Sequence, residues 1–267
     1  MYVRWALSRA RRTGMSTSDR RALRWNDRRA VRWELFLVLA ITFGVSGVRA
    51  TLRLVESLAD PRPLNQQHAT LNEQQSVLPW LDPVLQVLSS GVLFAWGGLA
   101  LFLLTRHLPT PRLTTSLRSF RLTDALHGAA LAALIGLPGL AFYALAVQLG
   151  WSKAVEPSGL DQSAWQLPLL ILNACANGFA EELIVVAWLV TRLRQLRCSW
   201  PVVFAASALL RGSYHLYQGV SAGLGNVVIG LVFVWYFKRT GRVWPLVVGH
   251  AVIDCVAFVG FALGVRV

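Results

Sequence analysis

The sequence predicts an all-α fold: a polytopic bundle of about seven transmembrane helices with a cytoplasmic N-terminus. Composition is the first reason. Of the 267 residues 55% are hydrophobic and only 15% charged, where soluble domains carry about a quarter charged residues. Segment length is the second, because successive apolar runs approach the ~20 residues that cross a ~30 Å hydrocarbon core. The third is the placement of cations, which gather at alternate ends of those runs.

Residues 1–32 hold ten of the 26 Lys and Arg and no sustained apolar run. They read as a basic cytoplasmic arm, disordered or lying along anionic lipid headgroups. Span one, Trp33–Val48, is short, and Ala50–Val55 extend it. With several spans following, it reads as a first helix and not as a signal-peptide core. Loop 56–83, rich in Gln, Asn and Pro, is a polar connection, and span two runs from Val84 to Thr105. Residues 106–127 are too polar to cross; Leu117, Phe120, Leu122 and Leu126 give them one face of an interfacial helix. Span three is Gly128–Gly150 and span four Gln166–Thr191. Spans five and six share Pro201–Phe237, and span seven is Val243–Gly264. The chain thus divides into the arm (1–32), the N-terminal transmembrane helices with the interfacial segment (33–150), and a core (151–267).

Cation counting tests this arrangement. The inner segments 1–32, 106–127, 192–200 and 238–242 hold ten, four, three and three Lys or Arg. Those twenty face five on the other side, Arg49, Arg53, Arg62, Lys153 and Arg266. The asymmetry sets the N-terminus inside and the C-terminus outside. It also removes nucleic acid as a partner, which a net charge of +13 would otherwise invite, since the cations flank apolar runs. Cys175, Cys198 and Cys255 form no CxxC, so neither a disulfide framework nor a cysteine metal site is expected.

The last four spans carry ionisable groups that cost about 2.5–3.5 kcal/mol each at mid-bilayer. They are Glu181, Glu182, Arg211, His215, His250 and Asp254. Asn173, Asn177 and Glu181 are spaced i, i+4, i+8 and share one helix face. At ~1.5 Å per residue, Glu181, His215 and His250 reach comparable depths, between span centre and cytoplasmic face. A lone intramembrane Asn or His is ordinarily an interhelical hydrogen-bonding group, and Arg211 would by itself make a structural ion pair. Two Glu, two His and one Asp exceed what pairing requires. Such a set supports water activation by a carboxylate base with histidine as proton shuttle or oxyanion donor; it would equally ligate zinc or serve a proton pathway. From the residues alone, the reading is a membrane-embedded acid/base site.

Three stretches then carry a family resemblance: "EELIVV" at 181–186, "RGSYH" at 211–215 and "HAVID" at 250–254. In order and spacing they resemble the motifs of the CPBP intramembrane peptidases, the CAAX-protease and bacteriocin-processing (Abi) family. Those motifs are a paired glutamate with an arginine after three residues, then FxxxH, then HxxxN or HxxxD. The likeness covers about Trp165 to Ala262. It departs at Val186, where the family has arginine, and at Arg211, where it has phenylalanine. Arg211 is therefore expected to take the missing arginine's place against the glutamates.

The resemblance implies a glutamic-type endopeptidase in the plasma membrane, bacterial in type, that acts on membrane-associated peptide or protein substrates. It would use no metal or other cofactor. Glu181 and His215 would activate water, His250 and Asp254 would stabilise the oxyanion, and Glu182 would orient or share the proton. Arg211 and Asn177 would support the site. A catalytically silent member acting as a membrane scaffold is the alternative, and a proton-coupled carrier the third.

Overall fold

The computed structural model describes residues 17–107, 117, 119–156, 158–159 and 164–262. Helix α1 (Thr17–Ile41) carries the described part of the basic arm straight into the first apolar run. Helix α2 (Phe43–Ala59) continues it after a 47° bend. Thr42 sits at the bend, its hydroxyl donating to the Val38 carbonyl at 2.6 Å, a back-bond that bends helices. Span one is therefore a broken helix ending at Ala59, well past Val48. Residues 1–16 of the arm lie outside the described residues.

Helices α3 (Leu81–His107) and α4 (Leu122–Gln148) follow. The expected interfacial helix is corrected in part. Leu122 and Leu126 belong to α4, because the Asp124 carboxylate accepts the Arg121 N–H at 2.8 Å and starts the helix there. Leu117 is buried in the core, and residues 108–116 lie outside the described residues.

Helix α5 (Gln166–Glu181), a π-helical segment (Glu182–Trp188) and α6 (Leu189–Gln195) make one continuous 30-residue helix. Helix α7 (Trp200–Ser213) has 14 residues, about 21 Å at 1.5 Å each, and does not cross alone. A turn containing the 3₁₀ segment Leu216–Gln218 leads into α8 (Val220–Thr240), and α9 (Trp244–Ala262) closes the bundle. The run shared by spans five and six is thus split at 214–219, and His215 stands on the turn. Among the described residues, four helices are long and apolar enough to cross a membrane. The bent α1–α2 pair makes five, and α9 is a shorter apolar helix. The molecule is an all-α polytopic membrane bundle.

Its centre is the α5–π–α6 helix. Of the apolar window in that helix 67% is buried, against 22%, 17% and 33% in α3, α4 and α8, whose flanks are left to lipid. Helices α3 and α9 pack along α5, α4 packs on α9, and α8 on α7. The α5–α9 crossing is close because residue 178 is glycine. A Cβ there would lie 2.9 Å from the Val247 carbonyl oxygen and 3.1 Å from the Ala251 nitrogen, and small residues let membrane helices approach in this way. That contact sets His250 beside the paired glutamates.

The two ends of the bundle differ. At one, Arg192 and Trp188 bind Glu34, Arg242 binds Asp124, and Lys238 lies over the Trp200 ring. At the other, two three-residue strands, β1 (His68–Thr70) and β2 (Ala154–Glu156), pair in parallel. They form a polar cap that also holds the 214–219 turn, through Lys153 N–H donating to the Gln218 carbonyl at 3.0 Å.

Candidate active site

Glu181 ends α5 and Glu182 opens the π segment. A π turn displaces successive side chains around the helix and is frequent at functional sites. Here the Val185 carbonyl accepts from the buried Ser207 hydroxyl of α7 at 2.7 Å, which ties the distorted turn to the next helix. Both glutamates are buried, Glu182 completely. Arg211, in the last turn of α7, places its guanidinium on Glu182 and 3.3 Å from Glu181 Oε2. Its charge sits on both carboxylates, over the Phe233 ring at 5.2 Å.

His250 approaches from α9, with Nδ1 2.7 Å from Glu182 Oε1 and 3.9 Å from Glu181 Oε2. Its Nε2 is 3.5 Å from Asp254 one turn along. His215 lies just past the end of α7, its Nδ1 2.9 Å from the Arg211 carbonyl. A carbonyl only accepts, so Nδ1 carries a proton, and in the neutral tautomer this leaves the lone pair on Nε2. Asn177 donates to Asn173 at 2.6 Å, continuing the polar face that leads to Glu181.

The closest grouping is Glu181, Glu182 and His250, whose ligand atoms lie within 4.8 Å of one another and would suit a divalent cation. Arg211 already spans both carboxylates, which opposes a second cation there. The buried Glu182 Oε2 and Arg211 Nε have no hydrogen-bond partner among the described residues.

Residues 163–256 match a family model described as "Rce1-like: Type II CAAX prenyl endopeptidase Rce1-like". These residues form an Rce1-like segment. The match falls on the stretch from Trp165 to Ala262 that the three motifs marked out, and it covers well under half of the chain. At family level the segment is similar to a CAAX-type intramembrane protease, and the molecule is an integral, multi-pass membrane protein. No curated protein and no solved structure matches the chain.

The Rce1-like segment contains one group that the motifs did not flag. Tyr214 is buried, donates its hydroxyl to Glu181 Oε2 at 2.6 Å, and stacks at 4.7 Å on His215. Its signal was position: it stands between Arg211 and His215 in "RGSYH". Glu34 was also missed; it lies in α1, outside the segment, and binds Trp188 and Arg192.

Proposed function

We propose that the protein is an intramembrane endopeptidase that hydrolyses peptide bonds of membrane-associated substrates with water activated by glutamate and histidine. It needs neither a covalent intermediate nor a metal. One observation carries this reading: in an Rce1-like segment, two buried glutamates share Arg211, Tyr214 and His250 at hydrogen-bonding or ion-pairing distance. Burying ions costs several kcal/mol each, about what their mutual attraction returns. A larger cluster than one pair is therefore a functional arrangement before it is a stabilising one.

Glu181 and His215 accept the proton of a water whose oxygen attacks the peptide carbonyl carbon. The carbonyl electron pair moves onto oxygen, where a His250 N–H meets it. Collapse of the intermediate breaks the C–N bond, and the stored proton leaves on the amine. Glu182 holds His250 Nδ1 in place. Asp254 accepts only, so it acts on the oxyanion through His250; the long 3.5 Å contact leaves the Nε2 N–H to the developing charge. Arg211 offsets the glutamate pair, and Asn177 lines the approach. In the membrane, the basic arm and arginine-rich end rest on anionic headgroups of the cytoplasmic leaflet of a bacterial plasma membrane.

Glu181→Gln and His215→Ala are expected to abolish cleavage while membrane insertion and thermal stability in detergent persist. Wild-type cleavage by either variant sinks the mechanism. The divalent-cation reading of Glu181, Glu182 and His250 predicts instead that chelation stops cleavage and added zinc restores it. A folded wild type that cleaves nothing, with its partners still bound in both variants, marks the scaffold reading.

A further inference from the structure

A cavity of about 350 Å³ lies under the polar cap, lined by Thr70, Asn72, Glu73, Gln75, Asn173 and Tyr217 among others. From this cavity we infer the side and form in which substrate arrives, granting the peptidase reading above. Substrate reaches the glutamates from the end opposite the arginines, as an extended segment. Its side chain three or four residues from the scissile bond fills the cavity, with a cationic residue preferred over an acidic one.

The cavity is built, not incidental. Asp82 accepts the Gln75 and Ser76 N–H groups at 2.6 and 3.1 Å. Gln86 donates to the Glu73 carbonyl at 2.8 Å, and Gln75 donates to Gln86 and Ser89 at 3.2 and 3.0 Å. The wall is fixed to α3 before any ligand binds. Its floor leads inward: Asn173 joins Asn177 at 2.6 Å, and Glu181 is the next residue on that face. Tyr217 lines the opposite wall from the 214–219 turn, two residues from His215. From Asn173 to Glu181 the helix rises ~12 Å, the reach of three or four extended residues. Among the described residues that line the cavity, Glu73 alone is charged, so the mouth favours cations. Toward the arginine end, among the described residues, the same helix is closed: Trp188 and Arg192 are buried there and bound to Glu34. With the cations inside, the open end is extracytoplasmic.

The test reads access without needing cleavage. In a Cys175→Ser, Cys198→Ser, Cys255→Ser background, Gln75→Cys and Asn173→Cys are placed singly, and Cys198 is restored as the control for the other end. Intact cells are treated with cationic and anionic membrane-impermeant methanethiosulfonates, each rate normalised to a free thiol. Positions 75 and 173 are expected to react from outside, and Cys198 only after permeabilisation. At 173 the cationic reagent should be roughly threefold faster or more, and Glu73→Gln should remove that preference. Reaction at 173 only from the Cys198 side, or none there while 75 reacts, overturns the route; a preference unmoved by Glu73→Gln overturns the charge selection. Each variant is first checked for cooperative thermal unfolding; if Asn173→Cys fails, Tyr217→Cys on the facing wall replaces it. Absence of cleavage would show separately, with these labelling results unchanged.

Discussion

Two arginines in this bundle are equally buried, at 1% side-chain exposure, yet their surroundings differ in kind. Each guanidinium nitrogen of Arg192 has an acceptor: it donates to Glu34 at 2.6 Å, to Gln195 at 3.0 Å and to the Leu103 carbonyl at 3.0 Å. It meets one carboxylate, which also accepts the Trp188 indole N–H at 2.7 Å. Arg211 meets two carboxylates that also engage Tyr214 and His250, and its Nε is left without a partner among the described residues. A pair that only holds helices together is closed by hydrogen bonds. One with surplus carboxylate, histidine and unspent donors keeps the capacity to move protons. That is the physical content of calling one region structural and the other a candidate site.

The largest expected contrast lies at Glu181. Its replacement by Gln keeps the shape and removes the base, so cleavage should fall on the order of 10²–10⁴-fold while the thermal midpoint in detergent moves little. A matching loss of stability would make Glu181 a packing residue. Next come the arginines. Arg211→Leu strands two buried carboxylates and should cost about 3–5 kcal/mol. Arg192→Leu strands the half-buried Glu34, which keeps the Trp188 indole N–H, and should cost less; both are read by denaturation in detergent. Only Arg211→Leu should also lower cleavage per folded molecule; equal losses from both would erase the distinction. The pair Val186→Arg with Arg211→Phe restores the family's arrangement and should recover part of the Arg211→Phe defect. No recovery would mean that position 186 does not reach the glutamates in this packing.

Smaller effects follow. Tyr214→Phe removes one hydrogen bond to a carboxylate, worth about 1.5–3 kcal/mol when the acceptor is charged. The lost bond should also lower cleavage per folded molecule, because Glu181 loses the donor that orients its carboxylate. A change in stability without a change in cleavage would leave Tyr214 structural. Smallest is the exposed pair at the end of α2, where hydrogen bonds from Arg62 hold the Asp60 carboxyl down at about 2. A depressed carboxyl contributes above its unfolded value near ~4 and loses that contribution as pH falls through the folded one. Thermal midpoints of wild type and Asp60→Asn should differ slightly at neutral pH and converge between pH 4 and 2.

The charged members of the site were legible because charge inside an apolar run is conspicuous; spacing alone put Glu181, Arg211, His215 and His250 at compatible depths. Tyr214 was not, since a tyrosine among apolar residues looks like packing until its hydroxyl finds a carboxylate. Glu34 was not singled out, because nothing in the sequence shows the first helix bending at Thr42 or its start packing on Trp188 and Arg192. The π segment leaves no trace in "ELIVVAW", whose residues after Glu182 are all apolar. The split of 201–237 did leave one: "GSYHLYQG" has glycine at both ends, a turn signal that a continuous hydrophobic pattern hid. The β1–β2 pairing, three residues on each side, is too short for alternation to register.

The central claim is that Glu181, with His215, activates water against peptide bonds beside Glu182 and His250. It is tested most directly with purified protein in lipid nanodiscs, a library of membrane-anchored peptides and heavy-oxygen water, with products read by mass spectrometry. Wild type should generate new C-termini that each carry one labelled oxygen, and folded Glu181→Gln should generate none. No cleavage by folded wild type, or equal cleavage by Glu181→Gln, contradicts it.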